Sequence, residues 1–129
     1  MTTINGSSYT IKEVVDLMGV SAHTLRYYEK IGLLTDIQRH ENGHRRYSDE
    51  DLGWVDFLKL LREAGMPIHQ MQQFMAFARE GDGTIADRAE LLQSHRTKLA
   101  ADIAELQEHL EHLDRKIDKY NRMLDDLSA

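Results

Sequence analysis

From residue 84 onward the apolar residues recur on a heptad, and no other feature limits the possible folds as tightly. Ile85, Leu92, Leu99, Leu106, Leu113, Tyr120 and Leu127 fall at one seam position, and Ala89, Arg96, Ile103, Leu110, Ile117 and Leu124 at the other, with Arg96 the only interruption. Alternating steps of four and three residues keep one narrow stripe of an α-helix apolar. The pattern predicts a single helix over 84–127, capped by Thr84 with Asp87 and roughly 65 Å long at 1.5 Å per residue. The rest of this 129-residue chain is too small to cover such a seam. No other segment carries a matching heptad, so the economical partner is a second copy, which gives a symmetric homodimer. Its dimerisation residues are Leu92, Leu99, Ile103, Leu106, Leu110, Leu113, Ile117, Tyr120 and Leu124.

The segment before the heptad reads as a string of short capped helices. Thr10-Ile-Lys-Glu13 has the S/T-x-x-E form in which both side chains satisfy free backbone N–H groups. Ile11, Val14, Val15 and Met18 follow as an apolar stripe, and Gly19 is a helix stop. Ser21 is a good N-cap one residue later, so two helices meet across a tight glycine turn, the signature of a helix-turn-helix. In the second helix Ala22, Leu25 and Tyr28 share one face, leaving His23, Arg26, Tyr27 and Lys30 on the other. Asn42-Gly43 predicts a type I′ hairpin turn, and Arg45, Arg46 and Tyr47 then lie in an arginine-rich wing. Ser48 caps a third helix running to about Ala64, with acids in its first turn. Pro67, read as a first helical residue, opens a fourth. Gly81-Asp82-Gly83 is the clearest linker. The expected fold is mainly α, a winged helix-turn-helix DNA-binding domain with a linker helix over 9–80, followed by a long dimerising coiled-coil helix over 84–127.

Charge sharpens the functional reading. The net charge of −6 opposes indiscriminate attraction to nucleic acid. Residues 21–47 nevertheless carry Arg26, Lys30, Arg39, Arg45 and Arg46 against Glu29, Asp36 and Glu41, a locally positive stretch in an acidic protein. An arginine on the second helix of a helix-turn-helix can offer paired donors to a guanine edge, while wing arginines reach phosphates. Candidate DNA contacts are therefore His23, Arg26, Tyr27, Lys30, Arg45, Arg46 and Tyr47. With no cysteine, disulfides, thiolate metal sites and thiol switches are excluded. His109 and His112, with Glu105 and Glu108, lie off the seam and read as a solvated face, so no metal is expected. No cofactor is expected either, and no nucleophile, paired-carboxylate site or phosphate-binding glycine loop points to an enzyme. Trp54, Phe57, Phe74 and Phe77 are core residues or the lining of an effector pocket. The N-terminus has no signal-peptide pattern and no run is long enough to span a membrane, which leads to the expectation of a cytoplasmic protein with no membrane partner.

Taken together, Thr10-Ile-Lys-Glu-Val14, Gly19-Val20-Ser21, Thr24-Leu-Arg-Tyr-Tyr-Glu29, Ile31-Gly-Leu33, Arg45-Arg-Tyr47, Asp51-Leu52 and Ala64-Gly-Met-Pro67 resemble the winged-helix domain of MerR-family transcriptional regulators. The resemblance covers essentially the whole chain. It implies an antiparallel coiled-coil homodimer on double-stranded promoter DNA, at a pseudo-palindrome inside a long spacer. It also implies activation by bending and untwisting that spacer, with RNA polymerase engaged indirectly through DNA shape. Arg26 and Tyr27 match the family's recognition-helix contacts, Arg45 and Arg46 its wing contacts, and Lys59 a backbone contact.

The departures are specific. The family's thiolate metal sensors and its redox sensor need cysteines absent here, and its drug sensors carry a large C-terminal ligand domain where this chain ends at Ala129. The closest look is to the short regulators of aldehyde and nitrosative stress, whose third helix has a cysteine in a Phe-x-Lys-Cys pattern. Phe57-Leu-Lys-Leu60 has leucine there, which leaves the stimulus undetermined. The alternative reading is a coiled-coil adaptor on a winged-helix scaffold that does not regulate transcription.

Overall fold

A computed structural model describes residues 8–129. In chain order the elements are β1 (Ser8–Tyr9), α1 (Ile11–Met18), α2 (Ala22–Lys30), β2 (Gln38–Arg39), β3 (Arg45–Ser48), α3 (Asp49–Glu63), α4 (Ile68–Glu80), a 3-10 turn (Asp82–Thr84) and α5 (Ile85–Ser128). The chain divides into two compact units, residues 1–91 and 92–129.

Within the first unit the helix boundaries follow the side-chain chemistry. Thr10 and Glu13 form a reciprocal capping box at α1, the amide of Thr10 donating to Glu13 Oε1 at 2.9 Å and that of Glu13 to Thr10 Oγ1 at 3.1 Å. These bonds to Thr10, the backbone one foremost, hold the Glu13 carboxyl below its ordinary range. Gly19 closes α1 in the left-handed region, φ 67°. Ser48 and Asp51 repeat the capping box at α3. Pro67 sits one position earlier than expected. Its ψ of 148° keeps it outside the helix as the N-cap of α4, and its carbonyl accepts from the amides of Gln70 and Met71.

The sheet has the order β1-β3-β2 and is antiparallel throughout, pairing Tyr9 with Tyr47 and Arg39 with Arg45. The outer strand β1 has no sequence signal of its own, because two residues are too few to show alternation. Around this sheet Val14, Val20, Leu25, Tyr28, Leu33, Leu34, Val55, Leu58, Leu61, Met71 and Phe74 form the buried core. Each such side chain contributes about 1.5–3 kcal/mol of transfer free energy.

The stretch Gly81-Asp82-Gly83, read as a linker, is a hydrogen-bonded turn. The Thr84 hydroxyl donates to the Gly81 carbonyl at 2.9 Å, and Arg88 donates to both the Thr84 hydroxyl (3.2 Å) and the Gly81 carbonyl (3.0 Å). These bonds fasten the first turns of α5 to the first unit. The second unit is the remainder of α5, uninterrupted helix to Ser128. Among the described residues no helix is long and apolar enough to cross a membrane.

Candidate nucleic-acid interface

Helix α2 is held by one face and open on the other. Ser21 Oγ accepts from the amide of Thr24 at 3.0 Å and starts the helix. Leu25 and Tyr28 are fully or almost fully buried, while His23, Arg26, Tyr27 and Lys30 are exposed, Tyr27 to 41%. The three-residue spacing of the buried positions thus turns Arg26 and Tyr27 outward together.

The wing folds differently from the expected type I′ turn. Only Gly43 takes a positive φ (85°), and Asn42 does not. The amide of Gly43 donates to the His40 carbonyl and that of His40 to the His44 carbonyl, both at 2.8 Å. The loop is therefore three residues long, a turn closed by a left-handed glycine. Asn42 explains the choice: its side-chain oxygen accepts from the amide of His44 at 3.0 Å, a local bond that a right-handed asparagine makes without visiting positive φ.

Strand alternation then separates the wing residues. Arg45 reaches back to α2, Nε donating to Glu29 Oε1 at 2.7 Å. Arg46 turns to β1, where its guanidinium donates three times to Ser8, the shortest bond being 2.8 Å to Oγ. Both arginines are half-buried. Tyr47, expected at the DNA surface, is 0% exposed. It shares a strand face with Arg45, and β1 covers it from the side through Tyr9. Burial pushes its phenol pKa up, with the nearby Glu29 carboxylate adding to the effect. Tyr47 is a core residue.

Lys59, expected at the DNA backbone, has partners within the protein. Its Nζ donates to the Met18 carbonyl at 2.9 Å and lies 4.0 Å from Glu63. The cation thus satisfies the C-terminus of α1, where the helix dipole favours positive charge. A Cβ added at Gly19 would stand 3.3 Å from that ammonium, so glycine gives both the left-handed turn and room for the lysine.

Arg26, the start of α1 (Thr10, Ile11) and the wing residues His40, His44, Arg45 and Arg46 line a cleft of about 460 Å³. Three of the expected contact residues, Arg26, Arg45 and Arg46, therefore converge on one concave, cationic surface. Sequence reasoning missed Arg39, which is exposed, directly opposite Arg45, and 3.6 Å from the same Glu29 oxygen. Its hairpin position was the available signal.

Three of the four aromatics proposed for an effector pocket are in ring contact. Trp54 meets Phe57 edge-on at 6.1 Å and Phe57 meets Phe74 at 5.0 Å. A cleft of about 390 Å³ beside them is lined by Trp54, Leu33, Leu34 and Met75 and by none of the phenylalanines. Phe77 is half-buried. In the second unit, Ile103, Leu106, Leu110, Leu113, Ile117, Tyr120 and Leu124 are each 51–65% exposed in the single chain, while Leu92 and Leu99 are half-buried.

Comparison with known proteins gives this geometry a family. Residues 9–78 match the MerR HTH family regulatory protein model, and residues 52–108 match the MerR DNA-binding model. An uncharacterized HTH-type transcriptional regulator of Haemophilus influenzae is 36% identical over 115 residues, covering 89% of this chain and 85% of the relative. Among solved structures, HiNmlR, a MerR family regulator lacking the sensor domain and bound to promoter DNA, is 36% identical with a TM-score of 0.74, covering 81% of this chain and 80% of that one. A Listeria monocytogenes structure assigned to the same family is 45% identical with a TM-score of 0.81, covering 88% and 86%. These relatives are transcriptional regulators, which favours regulation over the adaptor reading. An exposed arginine-tyrosine helix face, a wing and two family matches that together run from Tyr9 to Glu108 lead to one conclusion: this chain belongs to the MerR family and is a DNA-binding transcriptional regulator.

Proposed function

We propose that the protein acts as a homodimer on a pseudo-palindromic promoter, with α2 of each protomer in a major groove and the wing on the adjoining backbone. The observation that carries this reading is the division of α2, with Leu25 and Tyr28 buried while Arg26 and Tyr27 stand exposed beside the wing. Arg26 reads a base edge, and Tyr27, His23 and Lys30 contact the duplex around it. Arg46 and Arg45 meet phosphates. The heptad residues from Leu92 to Leu124 pair the two copies. Binding then works on RNA polymerase through the DNA, because deforming a spacer costs only a few kcal/mol, within reach of a dimer's phosphate contacts. The relative bound to promoter DNA supports the duplex as partner. The chain's role is binding, with no catalytic step.

The test is a salt titration of binding to a duplex selected by the protein from a random pool. Affinity should fall linearly on logarithmic axes as salt rises, and Arg26→Ala should weaken binding and flatten the preference among sequences. An Arg26→Ala protein with unchanged affinity and preference would remove the assignment.

A further inference from the structure

Glu29 is a carboxylate on the helix that this reading places against phosphates, and its position is otherwise unexplained. Arg39 and Arg45 stand directly opposite each other across the β2–β3 pair, an arrangement in which like charges repel. Both converge on one oxygen of Glu29, Arg45 at 2.7 Å and Arg39 at 3.6 Å. The Arg45 and Glu29 side chains are 24% and 22% exposed, shielded enough for a charge-assisted bond of good geometry to hold. Glu29 lies three residues after Arg26, so the two are neighbours on α2. The bond therefore ties the wing to the turn of helix that carries the base-reading arginine. Arg39 is held from its other side by the Gly43 carbonyl, at 3.1 Å, so the clasp reaches the hairpin loop.

We propose that Glu29 is a positioning residue that sets DNA specificity. It fixes the wing at the angle set by α2, and it withholds the charge of Arg45 and Arg39 from phosphates at sites where α2 is not seated. Specificity is the ratio of specific to nonspecific affinity, and nonspecific affinity rises with each cation free to neutralise a phosphate. An acid that occupies two such cations lowers the nonspecific term most. This inference rests on the DNA-binding reading above.

The experiment compares the full-length wild type with Glu29→Gln on two duplexes of equal length, the wild-type-selected one and a random one, across a salt series. Glutamine keeps the shape and a hydrogen-bond acceptor but removes the charge. The expected result for Glu29→Gln is random-duplex affinity raised about three- to tenfold, a salt slope steeper by about one, and a smaller ratio of selected to random binding. In Glu29→Gln/Arg45→Gln most of that gain should disappear. A folded Glu29→Gln with wild-type random-duplex affinity and slope overturns the proposal, as does a gain that persists in full in the double variant. Glu29→Asp provides a second arm should the glutamine variant not fold. It keeps the charge but shortens the reach, so the salt slope should stay near wild type while selected-site affinity falls. Wild-type binding to both duplexes by Glu29→Asp would overturn the positioning role. If the wild type bound neither duplex, the regulator reading would fail and take this inference with it, an outcome distinct from failure of the Glu29 variants alone.

Discussion

Tyr27 and Tyr28 are adjacent in sequence and have opposite environments, because one helical step of about 100° carries the chain from the exposed face to the core. That division was legible in the sequence, since Leu25 and Tyr28 fall on the apolar period. Arg26→Ala should reduce affinity for the selected duplex by about 1–3 kcal/mol, measured as a shift in Kd at fixed salt. Tyr47 was not legible. Arg-Arg-Tyr in a wing reads as a surface motif until the pairing of β1 with β3 is known, and two residues give no pattern from which to foresee it. Its hydroxyl is buried without a hydrogen-bond partner, and such a group costs free energy that phenylalanine would not. Tyr47→Phe should therefore leave thermal stability unchanged or raised, and leave DNA affinity near wild type. Burial also raises the phenol pKa of both Tyr28 and Tyr47 above the ordinary value near 10. The folded state favours the protonated forms, so their contribution is complete below the unfolded pKa and is lost as pH rises through the folded values. Chemical denaturation at increasing pH above about 10 should show a decline in stability that Tyr47→Phe reduces.

Three helix starts were read correctly from the side chains that announce them. The Thr10–Glu13 and Ser48–Asp51 boxes and the Ser21 cap are local chemistry, fixed within three residues. Ser48→Ala should cost about 1 kcal/mol, seen in the midpoint of urea unfolding. Elsewhere, local rules met competitors. The side chain of Asn42 replaced the expected type I′ turn with a longer loop, and Lys59, a surface cation by sequence, was recruited by the end of α1, 41 residues away. A long-range bond of that kind leaves no mark in composition or period. Lys59→Ala should lower stability while leaving the salt slope of DNA binding unchanged. A slope reduced by about one would instead place Lys59 on a phosphate.

Across the molecule, the heptad gave the helix α5 and its extent almost to the residue, and the first turns of α5, up to Leu91, belong to the first compact unit. A pair of Arg88 hydrogen bonds ties those turns to Gly81 and Thr84, a contact that sequence pattern does not encode. A chain ending at Leu91 should sediment as a monomer and bind the selected duplex weakly, because a single half-site contact loses the linked second one. Leu110→Glu in the full chain should have the same effect on assembly by placing charge in the seam. The bare seam has a further consequence in the cell. For the homodimer proposed above, scarce protomers would leave dimers diluted into monomers, so below the dimer's dissociation constant promoter occupancy would rise with the square of protein concentration. A modest change in how much of the regulator is made would then become a sharper change in how much DNA it holds, a response set by the exposed seam of α5.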